Sequence, residues 1–176
     1  PSVDRDGDLL SDELELVFGS DPDDEDSDDD GLRDGIEAYG PDLILGTGDE
    51  TNPMDRDSDE DGIDDYLERR GLDGLPDTDD ELDPLAMDAD GDGLADGLEG
   101  GFCVPLEGGV SDVAGLSYEG TDPARFIPDG DCGATTTFLM RADSDGDGLE
   151  DGEEDMDLDG VMDEGETDPM LADTDG

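Results

Sequence analysis

Apolar residues in this chain are few, single and regularly placed. Between acidic, glycine-rich stretches one aliphatic residue recurs at Leu10, Leu32, Ile63, Leu94, Leu149 and Val161, and in four cases another follows four residues later, at Leu14, Ile36, Leu67 and Leu98. A spacing of four puts both on one side of a helical turn, so each pair predicts a very short helix whose small apolar face can pack on its neighbour. The helix is bounded on both sides. Pro-bearing segments (SDPDDE, TNPMDR, LDPLAM) precede the acidic stretches and Gly or Pro soon follows, as in AYGP, RRGL and GGFCVP, so no helix enters and at most a turn or two leaves. No apolar run nears the roughly 18 residues of a membrane span and no signal peptide is recognisable, so a soluble mature segment without direct membrane insertion is expected.

The acidic stretches share a pattern, D-x-D-x-D-G-x-x-D-x-x-E. It is complete in loop 2 (26–37), loop 3 (57–68), loop 4 (88–99), loop 5 (143–154) and loop 6 (155–166); loop 1 (4–15) lacks only the Gly, replaced by Leu9. From the observed Asp, Gly and Glu frequencies, about 0.01 complete matches are expected by chance. The order of residues is therefore not a by-product of composition.

A twelve-residue loop with this spacing suits calcium, a hard cation taking six to eight oxygen ligands. Alternate residues face inward early in the loop, which accounts for Asp at positions 1, 3 and 5; Gly at 6 allows the sharp turn; position 7 offers its backbone carbonyl; and Glu at 12 reaches back with both oxygens. The side-chain candidates are Asp4, Asp6, Asp8, Asp12 and Glu15; Asp26, Asp28, Asp30, Asp34 and Glu37; Asp57, Asp59, Asp61, Asp65 and Glu68; Asp88, Asp90, Asp92, Asp96 and Glu99; Asp143, Asp145, Asp147, Asp151 and Glu154; Asp155, Asp157, Asp159, Asp163 and Glu166. The carbonyl candidates are those of Leu10, Leu32, Ile63, Leu94, Leu149 and Val161. Position 9 can bind directly or through water. Magnesium, which demands a tighter octahedron and keeps its waters, fits less well. The missing entering helix separates these loops from EF-hands.

With its recurring Asp-Pro elements the pattern resembles the thrombospondin type 3 repeat family, in a cysteine-poor bacterial form. The elements are Ser20-Asp21-Pro22, Thr51-Asn52-Pro53, Leu82-Asp83-Pro84 and Thr167-Asp168-Pro169, and in each the Asp or Asn lies five residues before the next position 1, at Asp26, Asp57, Asp88 or Asp173. The resemblance implies that side chains of one repeat also ligate calcium around its neighbours, in a closely spaced series of at least six ions. On that reading Asp21, Asn52, Asp83 and Asp168 are further ligands; a plain turn is the alternative. The animal repeats usually carry Cys at position 11, where this chain has apolar or small residues. Dockerin modules, the nearest rival, end their loops in Asp and follow them with longer helices.

Charge sharpens the picture. The chain has 60 acids against 7 bases in 176 residues, a formal charge of -53, and only 31% hydrophobic residues, a composition that on its own reads as disorder. Half of those acids sit at the five side-chain positions of the six loops, so the imbalance is a count that leaves out the ions. At about 4 Å each like-charge pair costs roughly 4 kcal/mol, so the metal-free chain is expected to be expanded and calcium binding to be the folding reaction itself. The field repels nucleic acid and anionic lipid. The absence of Lys and His removes most general-base and Schiff-base chemistry, so no enzyme is expected.

These readings divide the chain into repeats over 1–99, an insert over 100–142, and repeats over 143–176. Loops 5 and 6 abut, and a seventh loop opens at Asp173 and Asp175, pointing to a longer chain or to completion by another molecule. The insert holds Cys103 and Cys132 and four aromatics, Phe102, Tyr118, Phe126 and Phe138, which predict a structural disulfide over a small aromatic core and an oxidising compartment. The expected fold is mostly irregular: an elongated tandem array with very short helical turns, organised around calcium instead of a hydrophobic core. The expected function is an extracellular or cell-surface rod, stalk or filament subunit, self-associating head to tail; the alternatives are a calcium-dependent adhesin using the insert and a disordered calcium buffer.

Overall fold

The computed structural model describes residues 2–71, 81–113 and 115–172. Asp173 and Asp175, with most of the excursion between loops 3 and 4, lie outside the described residues. Among the described residues five short helices account for most of the regular structure: α1 Asp12–Phe18, α2 Asp34–Tyr39, α3 Asp65–Arg70, α4 Asp96–Glu99 and α5 Asp151–Glu154. One antiparallel ladder, β1 Gly109–Val110 with β2 Ser117–Tyr118, lies in the insert. The fold is mostly irregular, as the apolar spacing requires.

Every helix starts at position 9 of a loop, for a local reason. The amide of position 9 donates to the carbonyl of the residue just before position 1: Asp12 to Val3 (3.0 Å), Asp34 to Glu25 (3.2 Å), Asp65 to Arg56, Asp96 to Met87 and Asp151 to Ala142 (all 2.9 Å). Loop closure thus satisfies one of the orphan amides of the helix start, and none of the five residues preceding a helix makes a side-chain cap. Within the loops, positions 4 and 6 have positive φ in all six copies. Position 6 is Gly in five, from 75° at Gly160 to 108° at Gly31, and Leu9 holds the same conformation at 92°.

Consecutive loops meet through a contact that the twelve-residue pattern does not contain. The second oxygen of the position-5 Asp accepts the position-10 amide of the following loop: Gly35 to Asp8 (2.6 Å), Gly97 to Asp61 (3.0 Å) and Gly152 to Asp92 (3.2 Å). A Cβ on any of these glycines would collide with the carbonyl oxygen of the same aspartate, so only Gly permits the approach. Between loops 2 and 3 position 10 is Tyr66, whose ring lies over Gly31 instead.

The interior is acidic. Among the described residues only eight hydrophobic side chains are buried, whereas nineteen Asp and Glu are. Leu94, Ala95 and Leu98 form an apolar cluster with Met87 and Leu158 packed against it, so the expected face of positions 7 and 11 is fully realised in loop 4. Leu10 and Ile63 are buried too, while Leu149 is exposed.

Cys103 and Cys132 are bonded, with Cα atoms 5.0 Å apart. The expected aromatic core over the insert does not form. Phe126 packs on Gly62 of loop 3, Phe102 on Gly100 and Tyr118 on Gly109, while Phe138 is 51% exposed. Gly62 in loop 3 and Gly100 and Gly109 in the insert each offer flat backbone to one of these rings, so no common core gathers in the insert. Its contacts reach Asp24 (from Ser111), Met54 (Glu119 amide, 2.8 Å), Glu99 (Thr137 hydroxyl, 2.7 Å) and Asp159 (Gly130 amide, 2.8 Å).

Candidate metal centres

The loop carboxylates are oriented by backbone amides in a fixed scheme. Position 1 accepts the position-6 amide in loops 2 to 6, at 2.8–3.1 Å. Position 5 accepts the amide of position 7 in all six loops through one oxygen, as in Asp61 with Ile63 at 2.6 Å and Asp159 with Val161 at 3.0 Å. Position 3 accepts the amide of position 5 at 2.9–3.2 Å in loops 1 to 5. These bonds leave one oxygen over. The second oxygen of Asp6, Asp28, Asp59, Asp90 and Asp145 is buried and has no hydrogen-bond partner.

Position 12 completes the set in the same five loops. Both oxygens of Glu15 and Glu68, and one each of Glu37, Glu99 and Glu154, are buried without a partner. Thr51 and Thr137 hydroxyls occupy the other oxygens of Glu37 and Glu99. Leaving such an oxygen buried and unpaired costs several kcal/mol in a neutral setting and more as an anion. The side-chain oxygens of Asp4, Asp6 and Asp8, of Asp26, Asp28 and Asp30, and of Asp57, Asp59 and Asp61 converge within 4.8 Å in each group. Such oxygen-only clusters can hold metal ions.

Position 9 has a different part from its loop neighbours. In loops 2 and 3 both oxygens of Asp34 and Asp65 accept from the Ser at position 2, backbone amide and hydroxyl, at 2.7–2.8 Å. Asp96 and Asp151 accept only the amide of Ala89 or Ser144 and keep one buried oxygen free. Position 9 also faces backward: an oxygen of Asp34 lies within 4.8 Å of oxygens of Asp8 and Glu15, and Asp96 groups likewise with Asp61 and Glu68. Each is a second cluster assembled across a loop junction.

Burial and mutual repulsion raise the pKa values of these groups. Burial is the larger cause at Glu68, pushed up to about 11, at Asp28 (about 9), and at Glu15, Asp59 and Glu99 (about 8). Asp30 and Asp61 reach about 7, and Glu37, the most enclosed, also lies well above the usual carboxylate range. Carboxylates gathered this way either hold protons or need a cation.

Loop 6 stands apart. It has no helix, its Asp163 amide makes no closure, and both oxygens of Glu166 accept backbone amides, from Met156 (3.0 Å) and Asp163 (2.7 Å). The Asp-Pro elements form the turn: Asp21, Asn52, Asp83 and Asp168 each accept the amide two residues on, at 3.0–3.3 Å. Of these, Asp21 also has a buried oxygen without a partner, while Asn52 and Asp83 are exposed.

Three kinds of contact around the loops lie outside the twelve-residue pattern. The position-10 glycines were visible as Asp-Gly pairs at 34–35, 96–97 and 151–152. A fifth Asp-Pro element, Thr121-Asp122-Pro123, lies in the insert, where the Thr121 hydroxyl donates to Asp57 at position 1 of loop 3. Thr137 holds the threonine place of such an element before loop 5, with Phe138 where the others have Asp or Asn. Comparison of the chain with family models, characterised proteins and solved structures returns no match.

Proposed function

We propose that the chain is an extracellular calcium-binding structural protein, a rod, stalk or filament subunit of thrombospondin type 3-like repeats stiffened by bound calcium. One observation carries this: in five successive loops the second oxygen of position 3 and at least one oxygen of position 12 are buried without hydrogen-bond partners. A divalent cation removes that cost. Calcium suits a site with this many oxygens better than magnesium does. Each ion would be held by positions 1, 3, 5 and 12 and the position-7 carbonyl, with position 9 serving the junction. Since each loop contacts the next, stiffness would spread along the array as in solenoids, and repeats could continue head to tail into a second chain. The disulfide suits an oxidising compartment, and no helix among the described residues is long and apolar enough to cross a membrane.

Calorimetric titration and small-angle scattering with calcium and with EGTA test the reading. Uptake of at least six ions with a change from an expanded chain to a stiff, ordered one is expected. No uptake, or identical dimensions in both conditions, overturns it. Electron microscopy of the loaded protein separates single rods from filaments. A second reading, a calcium-dependent adhesin acting through the insert, is favoured by the exposed Val104, Val110 and Val113, at 66%, 59% and 54%. Loss of adhesion in Val110→Asp with calcium uptake intact would select it.

A further inference from the structure

Loop 3 is distinguished from the other loops by what lies on it. All five of its candidate side chains are at most 5% exposed. Of the chain's seven basic residues, all arginines, four sit at this loop or against it. Arg56 pairs with Asp64 at 2.7 Å and Arg125 with Glu60 at 3.3 Å. Arg69 reaches Thr51 at 3.5 Å and Arg70 lies 5.1 Å from the ring centre of Tyr66. The paired acids are informative: Asp64 and Glu60 occupy positions 8 and 4, which are not ligand positions. Their arginines reduce the background repulsion and leave the ligand carboxylates free for an ion.

The insert completes this arrangement. Its segment 119–126 runs along loop 3, with the Glu119 amide on the Met54 carbonyl (2.8 Å) and the Arg56 amide on the Glu119 carbonyl (3.4 Å). The Thr121 hydroxyl donates to the Asp57 carboxylate and the Asp122 amide to Glu60. Arg125 also donates to the carbonyl of Asp59 at 3.1 Å, and Phe126 covers Gly62 so closely that a Cβ there would collide with its ring. Positions 1, 3, 4 and 6 of one loop are therefore held from outside the repeat.

We propose that residues 119–126 are a clamp that makes loop 3 the first-filled calcium centre of the array, with Thr121 and Arg125 as positioning residues for Asp57 and Asp59. This rests on the calcium reading above. Groups that orient metal ligands typically contribute 10- to 100-fold to metal affinity, because they fix the ligand's conformation before the ion arrives. The coupling is reciprocal: an ion that binds the clamped loop more tightly also holds the clamp closed.

Hydrogen exchange followed by mass spectrometry, at calcium below one equivalent and then at saturation, tests this on the full chain with its disulfide intact. In the wild type, protection is expected to arise first, and together, in peptides covering 55–68 and 119–126. Thr121→Val with Arg125→Ala should weaken the tightest calcium class by about 10- to 100-fold, lose the early protection, and leave the later sites unchanged. Thr121→Ser should restore it in an otherwise wild-type chain, which separates hydrogen bonding from loss of bulk. Wild-type protection beginning at another loop, or a double variant that titrates like the wild type or weakens at every site equally, overturns the clamp and leaves calcium binding standing. A wild-type chain that takes up no calcium overturns both.

Discussion

Loop 3 and loop 6 share the full pattern of Asp, Gly and Glu, and both have positive φ at positions 4 and 6. In loop 3 the position-9 amide closes onto Arg56, α3 follows, and Glu68 is buried with both oxygens unpaired. In loop 6 there is neither closure nor helix, and the Glu166 carboxylate is bound by its own backbone. The difference lies at the edges of the motif. Loop 6 follows Glu154 directly, so it has no preceding segment of its own, and its position 11 is Gly165 at φ 111°, which a helix cannot include. The first half of the pattern builds a loop unaided, whereas the second half needs a helical turn and a neighbour.

Acidity should separate the two loops most strongly. Glu68 at about 11, Asp59 at about 8, Asp61 at about 7 and Asp65 at about 6 all lie above their unfolded values. Without metal the folded chain therefore binds more protons than the unfolded one, and its stability rises as pH falls. That contribution is complete below about pH 4 and is lost as pH rises through the folded values. In EGTA, ordered structure measured by circular dichroism should grow from pH 8 to pH 5. In saturating calcium the slope should reverse, because protons displace the ion. Carboxyl NMR titrations should find the raised values in loop 3; in loop 6 Asp157 is raised, chiefly by the charge of Asp159. Equal titration of both loops would break the comparison.

Glu68→Gln should come next. In calcium it should remove one ion from the stoichiometry and cost about 3 kcal/mol, in the range for breaking a buried charge pair; in EGTA near neutral pH it should stabilise, since Glu68 no longer has to take up a proton on folding. Glu166→Gln, which keeps one acceptor for the two amides bound to Glu166, should cost about 1 kcal/mol alike in both conditions. Denaturant titrations of the two variants decide it, and equal losses in calcium would mean that the two loops do not differ. Gly97→Ala, driven into the Asp61 carbonyl, should cost about 1–3 kcal/mol, against little for Glu164→Ala at the same position of loop 6. Smallest is Ser58→Ala, which removes a hydroxyl from the Asp65 carboxylate for about 1 kcal/mol; Met156→Ser should gain nothing, because the position-2 amide of loop 6 is bound to Glu166 and not to the Asp163 carboxylate.

The loop chemistry was readable because it is local. Asp57, Asp59, Asp61 and Glu68 are fixed by spacing within twelve residues, and α3 follows from Ile63 and Leu67 between a proline and Gly71. What could not be read depends on contacts between distant segments. Gly97 looks dispensable in its own loop, and only the approach of Asp61, 36 residues earlier, explains it. Thr121-Asp122-Pro123 went unread because no loop begins five residues later; its partner is loop 3. The aromatic residues were misplaced for a related reason, since each ring packs on a separate glycine, Phe126 on Gly62 of loop 3 and Phe102 and Tyr118 on Gly100 and Gly109 of the insert.

The contact between position 5 and position 10 has a further consequence for how such chains can be lengthened. Asp92 and Gly152 meet as Asp61 and Gly97 do, although the insert over 100–142 separates loops 4 and 5. Neighbourhood in the array is thus independent of neighbourhood in the chain. A junction built on this contact is a splice point: foreign sequence whose ends return to the same place can be added, exchanged or removed there while the two loops stay joined.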